Sequence, residues 1–223
     1  MKDNFVHVCF IIDESGSMFT SVNDVKGGIK SVINEQKQVK DGKCSISLYR
    51  FGTEVTKDFI GKDINDVGDI KYVPQGLTAM NDGIGMAIDS IGKWLSDMDE
   101  SERPYKNMII IMTDGQENNS KEYTLKQIKE KIKEQTEKYS WEFVYMGADI
   151  TSTKDADELG IKRRAYFDRK NINETYSAVN ELTRGYRLAK SSAEACATMD
   201  SFNNTLLEIT KKYEKDKGIK MQA

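Results

Sequence analysis

The stretch Phe5–Ser17, FVHVCFIIDESGS, joins a near-continuous apolar run to a short segment of acidic and hydroxyl side chains. An unbroken run of β-branched and aromatic residues is typical of a central strand that is covered on both faces. Asp13 therefore marks the point where such a strand ends. Asp, Ser and Gly are also common in ordinary turns and helix caps, so an Asp-x-Ser-x-Ser pattern alone leaves a plain turn as the alternative.

Two further segments carry similar side chains at similar positions. The apolar run Met108 to Thr113 ends at Asp114, and Thr78 stands just before the helical pattern Asn81 to Leu95. Because open α/β sheets bind ligands at the carboxyl ends of their strands, we expect these groups to meet the first segment at one cation. The predicted metal ligands are the side-chain oxygens of Asp13, Ser15, Ser17, Thr78 and Asp114.

This set of ligands predicts the kind of ion. Two carboxylates mixed with three hydroxyls suit a hard divalent cation such as Mg²⁺, which prefers six oxygens and keeps some of its waters. The carboxylates offset the charge of the ion, whereas the hydroxyls add dipoles without charge. The ion should therefore stay electrophilic toward a carboxylate from another molecule. Mn²⁺ and Ca²⁺ are alternatives, since hydroxyl-rich sites accept several hard ions.

Strands and helices alternate along the rest of the chain. The predicted strands after the first are 44–51, 54–60, 106–113, 141–147 and 164–167, and the predicted helices are 21–39, 81–95, 124–139, 151–159 and one from 171 onward. Right-handed crossovers between such units give an α/β fold with a doubly wound, mostly parallel sheet and helices on both faces. The expected strand order is 3-2-1-4-5-6. The third strand is expected to be an antiparallel edge, because Gly52-Thr53 is typical of a two-residue hairpin turn.

Length, charge and cysteine content narrow the class of protein. With 223 residues the chain can bury one sizeable core, and its net charge of −3 gives no reason to expect nucleic-acid binding. Three cysteines, an odd number, do not form a disulfide framework and favour a reducing compartment. The N-terminal apolar run is too short for a signal peptide or a membrane span. We therefore expect a cytoplasmic protein without membrane contact.

Taken together, the three segments resemble the von Willebrand factor type A domain and its metal-ion-dependent adhesion site. The resemblance covers about the first 190 residues, and the chain looks most like the compact prokaryotic or viral members of the family. It implies that the serines and Thr78 touch the metal directly, and that Asp13 and Asp114 do so directly or through water. It also implies Mg²⁺ or Mn²⁺ as the ion and, as partner, a protein that supplies an Asp or Glu ligand.

An enzyme is the main rival interpretation. The single histidine, His7, lies six residues before Asp13, or ~20 Å along a strand at ~3.3 Å per residue, so it cannot serve as a base at the metal. Aspartyl phosphatases of the haloacid dehalogenase type have a second aspartate where this chain has Ser15, which has no useful pKa for acid catalysis. We therefore predict that the protein is not an enzyme. A metal-dependent hydrolase of phosphoesters stays the alternative.

Other acidic residues near the three segments have plainer interpretations. Glu14, Gln116 and Glu117 are interpreted first as solvated loop side chains and second as part of the rim of the site. Asp82 is interpreted as a helix cap or as a hydrogen-bond acceptor behind the metal, not as a ligand.

The last fifty residues carry apolar or small side chains at steps of three and four, from about residue 172 to 213. Two ordinary amphipathic helices that pack on the domain would give this pattern. A projecting helix for self-association or for docking a partner is the alternative, and with it a homo-oligomer or a self-assembling structural protein. We divide the chain into a domain at 1–190 and a helical extension with a tail at 191–223.

Overall fold

Six strands form one sheet in the computed structural model, which describes residues 2–148, 152–166, 172–189 and 192–217. The strands are β1 (Lys2–Asp13), β2 (Lys43–Phe51), β3 (Val55–Asp63), β4 (Pro104–Thr113), β5 (Glu142–Gly147) and β6 (Arg163–Tyr166). Their order is β3-β2-β1-β4-β5-β6, and every neighbouring pair is parallel except β2 with β3. The predicted order and the antiparallel edge strand are confirmed.

Six α-helices connect or follow these strands. They are α1 (Val22–Gln38), α2 (Met80–Ser96), α3 (Leu125–Tyr139), α4 (Ser152–Leu159), α5 (Ile172–Leu188) and α6 (Ser192–Lys217). The bounds of α1, α2 and α3 lie within one residue of the predicted ones, and α4 ends at the predicted residue; no separate bounds were predicted for α6. The predicted end of the last strand at Phe167 and the predicted helix starts at residues 151 and 171 lie outside the described residues. None of the helices in the described ranges combines the length and the hydropathy that a bilayer-spanning segment requires.

Both faces of β1 are buried, which explains its near-continuous apolar run. Val8 and Phe10 belong to the core that α1, α5 and α6 cover. Cys9 and Ile11 belong to the opposite core, under α2, α3 and α4. Because successive strand residues point to opposite faces, a strand between two helical layers must be apolar at nearly every position.

The hairpin between β2 and β3 differs from its prediction. Phe51 pairs with Val55, so the loop contains the three residues 52–54 and not two. The extra residue leaves Gly52 and Thr53 with polar groups that bond to another segment: the Gly52 carbonyl accepts from Ala79 N at 2.8 Å, and Thr53 Oγ1 accepts from Leu77 N at 3.0 Å. The loop therefore serves a tertiary contact, which a hairpin pattern does not reveal.

The two C-terminal helices pack on the domain. Met199 and Phe202 of α6 are buried in the same core as β1, and α6 also contacts β6. α5 approaches α1 so closely that a Cβ at Gly28 would lie 2.0 Å from the ring of Tyr176. In the described part of α6 the chain thus follows the packed interpretation and not the projecting one. The division of the chain at residue 190 stays a prediction.

His7 lies in a polar pocket between the sheet and α2. It is fully buried, its Nδ1 lies 2.9 Å from Ser45 Oγ, and its Nε2 lies 3.2 Å from Ser47 Oγ. Its ring packs on Trp94 with 4.9 Å between centroids. Burial lowers the pKa of His7 to about 3, because the charged imidazolium would lose its hydration.

This environment predicts a loss of stability in acid. The folded pKa of about 3 lies below the unfolded value of 6.5, so the neutral ring stabilises the fold above pH 6.5, and this contribution falls as the pH drops toward 3. The free energy of unfolding should decrease by up to ~1.4 kcal/mol per pH unit across this range from His7 alone. Urea unfolding of the wild type and of His7→Gln at several pH values measures it. Equal slopes for the two proteins would contradict the assignment.

Candidate metal centre

The predicted site residues lie where the sheet changes its winding direction. β1 pairs with β2 on one side and with β4 on the other, and the β1–β4 register aligns Ile12 with Met112. Asp13 and Asp114 therefore leave adjacent parallel strands at the same edge of the sheet. Crevices at such switch points are where open α/β sheets bind their ligands. Ser15 and Ser17 follow Asp13 in the turn that leads to α1.

Four of the five predicted side chains form one chain of hydrogen bonds. Asp13 Oδ1 accepts from Ser15 N at 2.7 Å, Ser15 Oγ lies 3.0 Å from Ser17 Oγ, and Ser17 Oγ donates to Asp114 Oδ1 at 2.5 Å. The other oxygen of Asp13, Oδ2, accepts from Thr113 Oγ1 at 2.6 Å. Residues almost one hundred positions apart in sequence are thus brought into direct contact.

The fifth side chain, Thr78, faces the same small space in front of Gly115. A Cβ placed on Gly115 would lie 3.2 Å from Thr78 Oγ1 and 3.5 Å from both Asp13 Oδ2 and Ser17 Oγ. Since glycine has no Cβ, this volume is left open and is bordered by oxygens from all three segments. The structure therefore brings all five predicted residues together around one cradle.

The chemistry of the cradle fits a hard divalent ion. Its oxygens come from carboxylates and hydroxyls, and within the described residues no cluster of three or more His, Cys, Asp or Glu side chains is placed to hold a metal. A soft ion that needs thiolate or imidazole ligands is therefore a poor match. An oxygen-seeking cation that accepts neutral hydroxyl ligands is a good one.

The two carboxylates differ in exposure. Asp13 is fully buried, and burial raises its pKa, although hydrogen bonds from Ser15 and Thr113 act in the opposite direction. Asp114 is partly exposed and adds a like charge that raises the pKa of Asp13 further. A buried carboxylate without a counter-charge is unfavourable, and a nearby cation would offset that cost. The electrostatics thus favour a positive guest at this position.

Glu14 is not a solvated loop side chain, and that interpretation is wrong. Its Oε2 accepts from Arg50 Nη1 at 2.5 Å, and its Oε1 accepts from Val73 N at 2.5 Å. Arg50 is itself buried and donates two further bonds to Asp58. The Gln75 amide also donates to the Glu14 carbonyl at 2.8 Å. Glu14 therefore ties the serine segment to β2 and to the segment that leads into Thr78.

Asp82 is a hydrogen-bond acceptor, but its donors belong to the segment before α3 and not to the predicted ligands. Its carboxylate accepts from the backbone amides of Lys121, Glu122 and Tyr123 at 2.8 to 2.9 Å. These three residues lie just before α3. Asp82 thus holds the segment that follows Asp114 against the first turn of α2.

Glu117 and Asn118 complete this connection, and sequence reasoning missed the role of both. Glu117 accepts from the amides of Asn81, Asn119 and Ser120. Asn118 Oδ1 accepts from Thr78 N at 3.0 Å, so the third segment directly orients the second. In the sequence these residues look like an ordinary polar turn. Only the run of Asn and Ser directly after a candidate ligand could have suggested otherwise.

The role of Glu14 predicts a specific loss of stability. Glu14→Gln keeps one acceptor oxygen but turns an amide NH₂ toward Arg50 or Val73, so one hydrogen bond from a charged or backbone donor is lost. The free energy of unfolding should fall by about 1–3 kcal/mol. Urea unfolding followed by circular dichroism measures it.

Glu54→Gln is the matched control, because Glu54 is exposed in the β2–β3 loop. This variant should stay within about 0.5 kcal/mol of the wild type. If the two variants behaved alike, Glu14 would not have the linking role described here.

Comparison with known proteins gives the family of this fold. The family model described as the von Willebrand factor type A domain matches residues 7–185. Among curated protein sequences none matches the chain significantly. Several solved structures share its fold.

Three of these structures illustrate the range. Proximal thread matrix protein 1 from the mussel byssus, with a zinc-occupied metal-ion-dependent adhesion site, is 19% identical with a TM-score of 0.52 over 81% of this chain and 47% of that one. Manganese-loaded TRAP protein of Plasmodium vivax is 18% identical with a TM-score of 0.53 over 78% of this chain and 72% of that one. The pilus adhesin SpaC of Lactobacillus rhamnosus GG is 14% identical with a TM-score of 0.62 over 83% and 30%. The chain spans about half the length of the mussel protein, and identities this low show the fold alone.

Proposed function

The chain belongs to the von Willebrand factor type A domain family, and we propose that it is a binding module that holds a divalent cation and presents it to an Asp or Glu side chain of a partner protein. The observation that carries this proposal is the oxygen-lined cradle in front of Gly115, with the buried Asp13 at its back. The proposed ligands are the side chains of Asp13, Ser15, Ser17, Thr78 and Asp114.

The residues of the chain have separate tasks in this proposal. Asp13 supplies a buried negative charge, held in place by Ser15 N and Thr113 Oγ1. Ser17 and Asp114 stand nearer the solvent and form the outer side of the cradle. When bound, the cation supplies positive charge and a coordination position that an external carboxylate can fill. The segments around the site determine which carboxylate can approach.

We propose Mg²⁺ or Mn²⁺ as the ion, with Ca²⁺ as an alternative. The oxygen-only ligand set supports a hard cation. Zinc and manganese occur in the two metal-loaded neighbours of the same fold. These neighbours support a divalent ion in general and do not choose among its kinds.

We further propose that the module binds without turning over a substrate. His7, the single histidine, packs against Ser45 and Ser47 inside the sheet, far from the cradle. The groups nearest the cradle are carboxylates and hydroxyls whose hydrogen bonds hold the segments together. A reducing compartment such as the cytoplasm is part of the proposal, because the thiols of Cys9 and Cys44 are free and buried.

Metal uptake tests the proposed ligands. Isothermal titration calorimetry of Mn²⁺ and Mg²⁺ should show about one site per chain for the wild type, and an affinity at least about tenfold lower for Ser17→Ala and Thr78→Ala. Ser101→Ala, an exposed serine far along the chain, is the control. Uptake that is absent in the wild type, or equal in all four proteins, would sink the proposal.

The open coordination position has its own readout in the same samples. Bound Mn²⁺ with exchangeable water enhances water-proton relaxation, and added acetate should reduce the enhancement as carboxylate replaces water.

An assay with a nitrophenyl phosphate ester distinguishes the hydrolase alternative. Metal-dependent turnover that disappears in Ser17→Ala would replace the binding module by an enzyme.

Gly115→Ala tests the cradle itself. The new methyl group would occupy the space next to Thr78 Oγ1, Asp13 Oδ2 and Ser17 Oγ. Metal affinity should fall at least about tenfold, while the free energy of unfolding changes by less than about 1 kcal/mol because Gly115 has an ordinary backbone conformation. Gly92→Ala in α2 is the matched control, since a Cβ there meets no atom within 4 Å. Undiminished metal binding by Gly115→Ala would place the ion elsewhere.

A further inference from the structure

A cleft of about 360 Å³ opens beside the cradle, between the first turn of α2, the segment after Asp114 and helix α4. We call it the side cleft. Seven of its lining residues matter here: Asn81, Glu117, Leu125, Lys154, Asp155, Glu158 and Leu159. None of its lining residues takes part in the hydrogen bonds described above among the five proposed metal ligands.

The side cleft lies within reach of the same partner. Glu117 is three residues after Asp114, and Asn81 is three residues after Thr78. Three consecutive Cα–Cα steps of 3.8 Å span at most ~11 Å. Two independent stretches of chain thus limit the separation between the cleft and the cradle. A protein segment that reaches one can reach the other.

One buried acceptor in the side cleft lacks a donor. Asn81 is only 5% exposed, and its Oδ1 has no hydrogen-bond partner. Its backbone amide, by contrast, donates to Glu117 Oε2 at 2.8 Å. Buried polar atoms are nearly always paired in folded proteins, so an orphan acceptor on the wall of a cleft indicates a ligand that donates.

The charge of the side cleft indicates which donor. Three carboxylates line it, from Glu117, Asp155 and Glu158, against the single ammonium group of Lys154. The bonds that Glu117 accepts come from backbone amides and the Ser120 hydroxyl, all of them neutral donors. The local charge therefore favours a cationic occupant.

The apolar wall of the side cleft suits a long side chain with a charged end. Leu159 is fully buried at its base, and Leu125 at the start of α3 is 37% exposed beside it. Arg and Lys lay their methylene stems along apolar surface while the charged head stays with polar groups. A metal ion alone would leave this apolar surface uncovered.

We propose that the side cleft binds an Arg or Lys side chain of the partner, adjacent to the Asp or Glu that reaches the cradle. The cationic head donates to Asn81 Oδ1 and faces Glu158, and the stem covers Leu125. The joint recognition of an acidic and a basic residue rests on the proposed metal function, whereas binding of the basic group to the cleft does not. The partner is thereby defined by an acidic and a basic side chain that bind at neighbouring positions, on segments of this chain whose Cα atoms are at most ~11 Å apart.

Nuclear magnetic resonance tests the cleft without metal. N-acetyl-arginine methylamide, titrated in EDTA, should give saturable shifts of the Asn81 side-chain amide and of the Leu125 and Leu159 methyl groups. The norleucine analogue, which has the stem but no charge, should not. Glu158→Lys should weaken the arginine probe by roughly fivefold. The absence of shifts at these three residues, or equal shifts with norleucine, would overturn the proposal.

Matched variants and peptides separate the possible failures. Glu35→Lys is the matched control: it makes the same change of net charge on α1, which covers the opposite face of the sheet, and should leave the arginine titration unchanged. An equal loss of arginine affinity in Glu35→Lys would show that net charge alone causes the effect. With the Mn²⁺-loaded protein, a peptide with neighbouring Arg and Asp should bind more tightly than its norleucine–Asp counterpart. Equal affinities would contradict a role of the side cleft in partner recognition without contradicting the proposed metal function. Arginine binding by a protein that takes up no metal would support the side cleft and contradict the proposed metal function.

Discussion

The parallel pairing of β1 with β4 is the constraint on which the site depends. It places Asp13 and Asp114 at one edge of the sheet, at the ends of adjacent strands. The chain continues from β1 to β2 on one side and from β4 to β5 on the other. Neither strand could change its register by one residue without turning its apolar side chains to the wrong core, because both faces are buried. The packing of the two cores therefore fixes the spacing of the two carboxylates before any ligand is present.

The cradle is held by acidic residues that do not belong to it. Glu14, Asp82 and Glu117 each use their carboxylate oxygens on backbone amides of a neighbouring segment. Hydrogen bonds from backbone amides to a carboxylate are stronger than neutral ones, and they fix the segment that donates them. The three proposed metal segments are consequently tied to one another through the protein. An ion would enter an arrangement whose segments are already held by these hydrogen bonds, which lowers the entropy cost of binding.

The sequence predicted the fold, and the five side chains that it singled out lie together at one edge of the sheet, but it failed on the contacts that support them. Strand β1 was recognisable because an eight-residue run that is apolar except for His7 matches a strand buried on both faces and does not match an amphipathic surface helix, and its end located Asp13. Glu14 and Asn118 were not recognisable, because a polar residue in a turn looks the same whether it faces water or a distant amide. The partners of Glu14 lie 36 and 59 positions away in the sequence, and the partner of Asn118 lies 40 positions away. Such contacts exist only once the sheet has brought the segments together, and the same holds for the three-residue loop after β2.

Buried cations attach the C-terminal helices to the sheet and to α1. Lys106 of β4 is buried, and its ammonium group donates to the carbonyls of Tyr186 and Ala189 at the end of α5. Arg187 donates to the Gln36 carbonyl near the end of α1. Each cation meets the negative end of a helix dipole in a buried place, which fastens α5 to the sheet and to α1. Helices α1, α5 and α6 cover one face of the sheet and α2, α3 and α4 cover the other, and at the carboxyl edge the buried Asp13 lies near the exposed Ser17 and the partly exposed Asp114. The proposed recognition at that edge is consistent with the way both faces are covered.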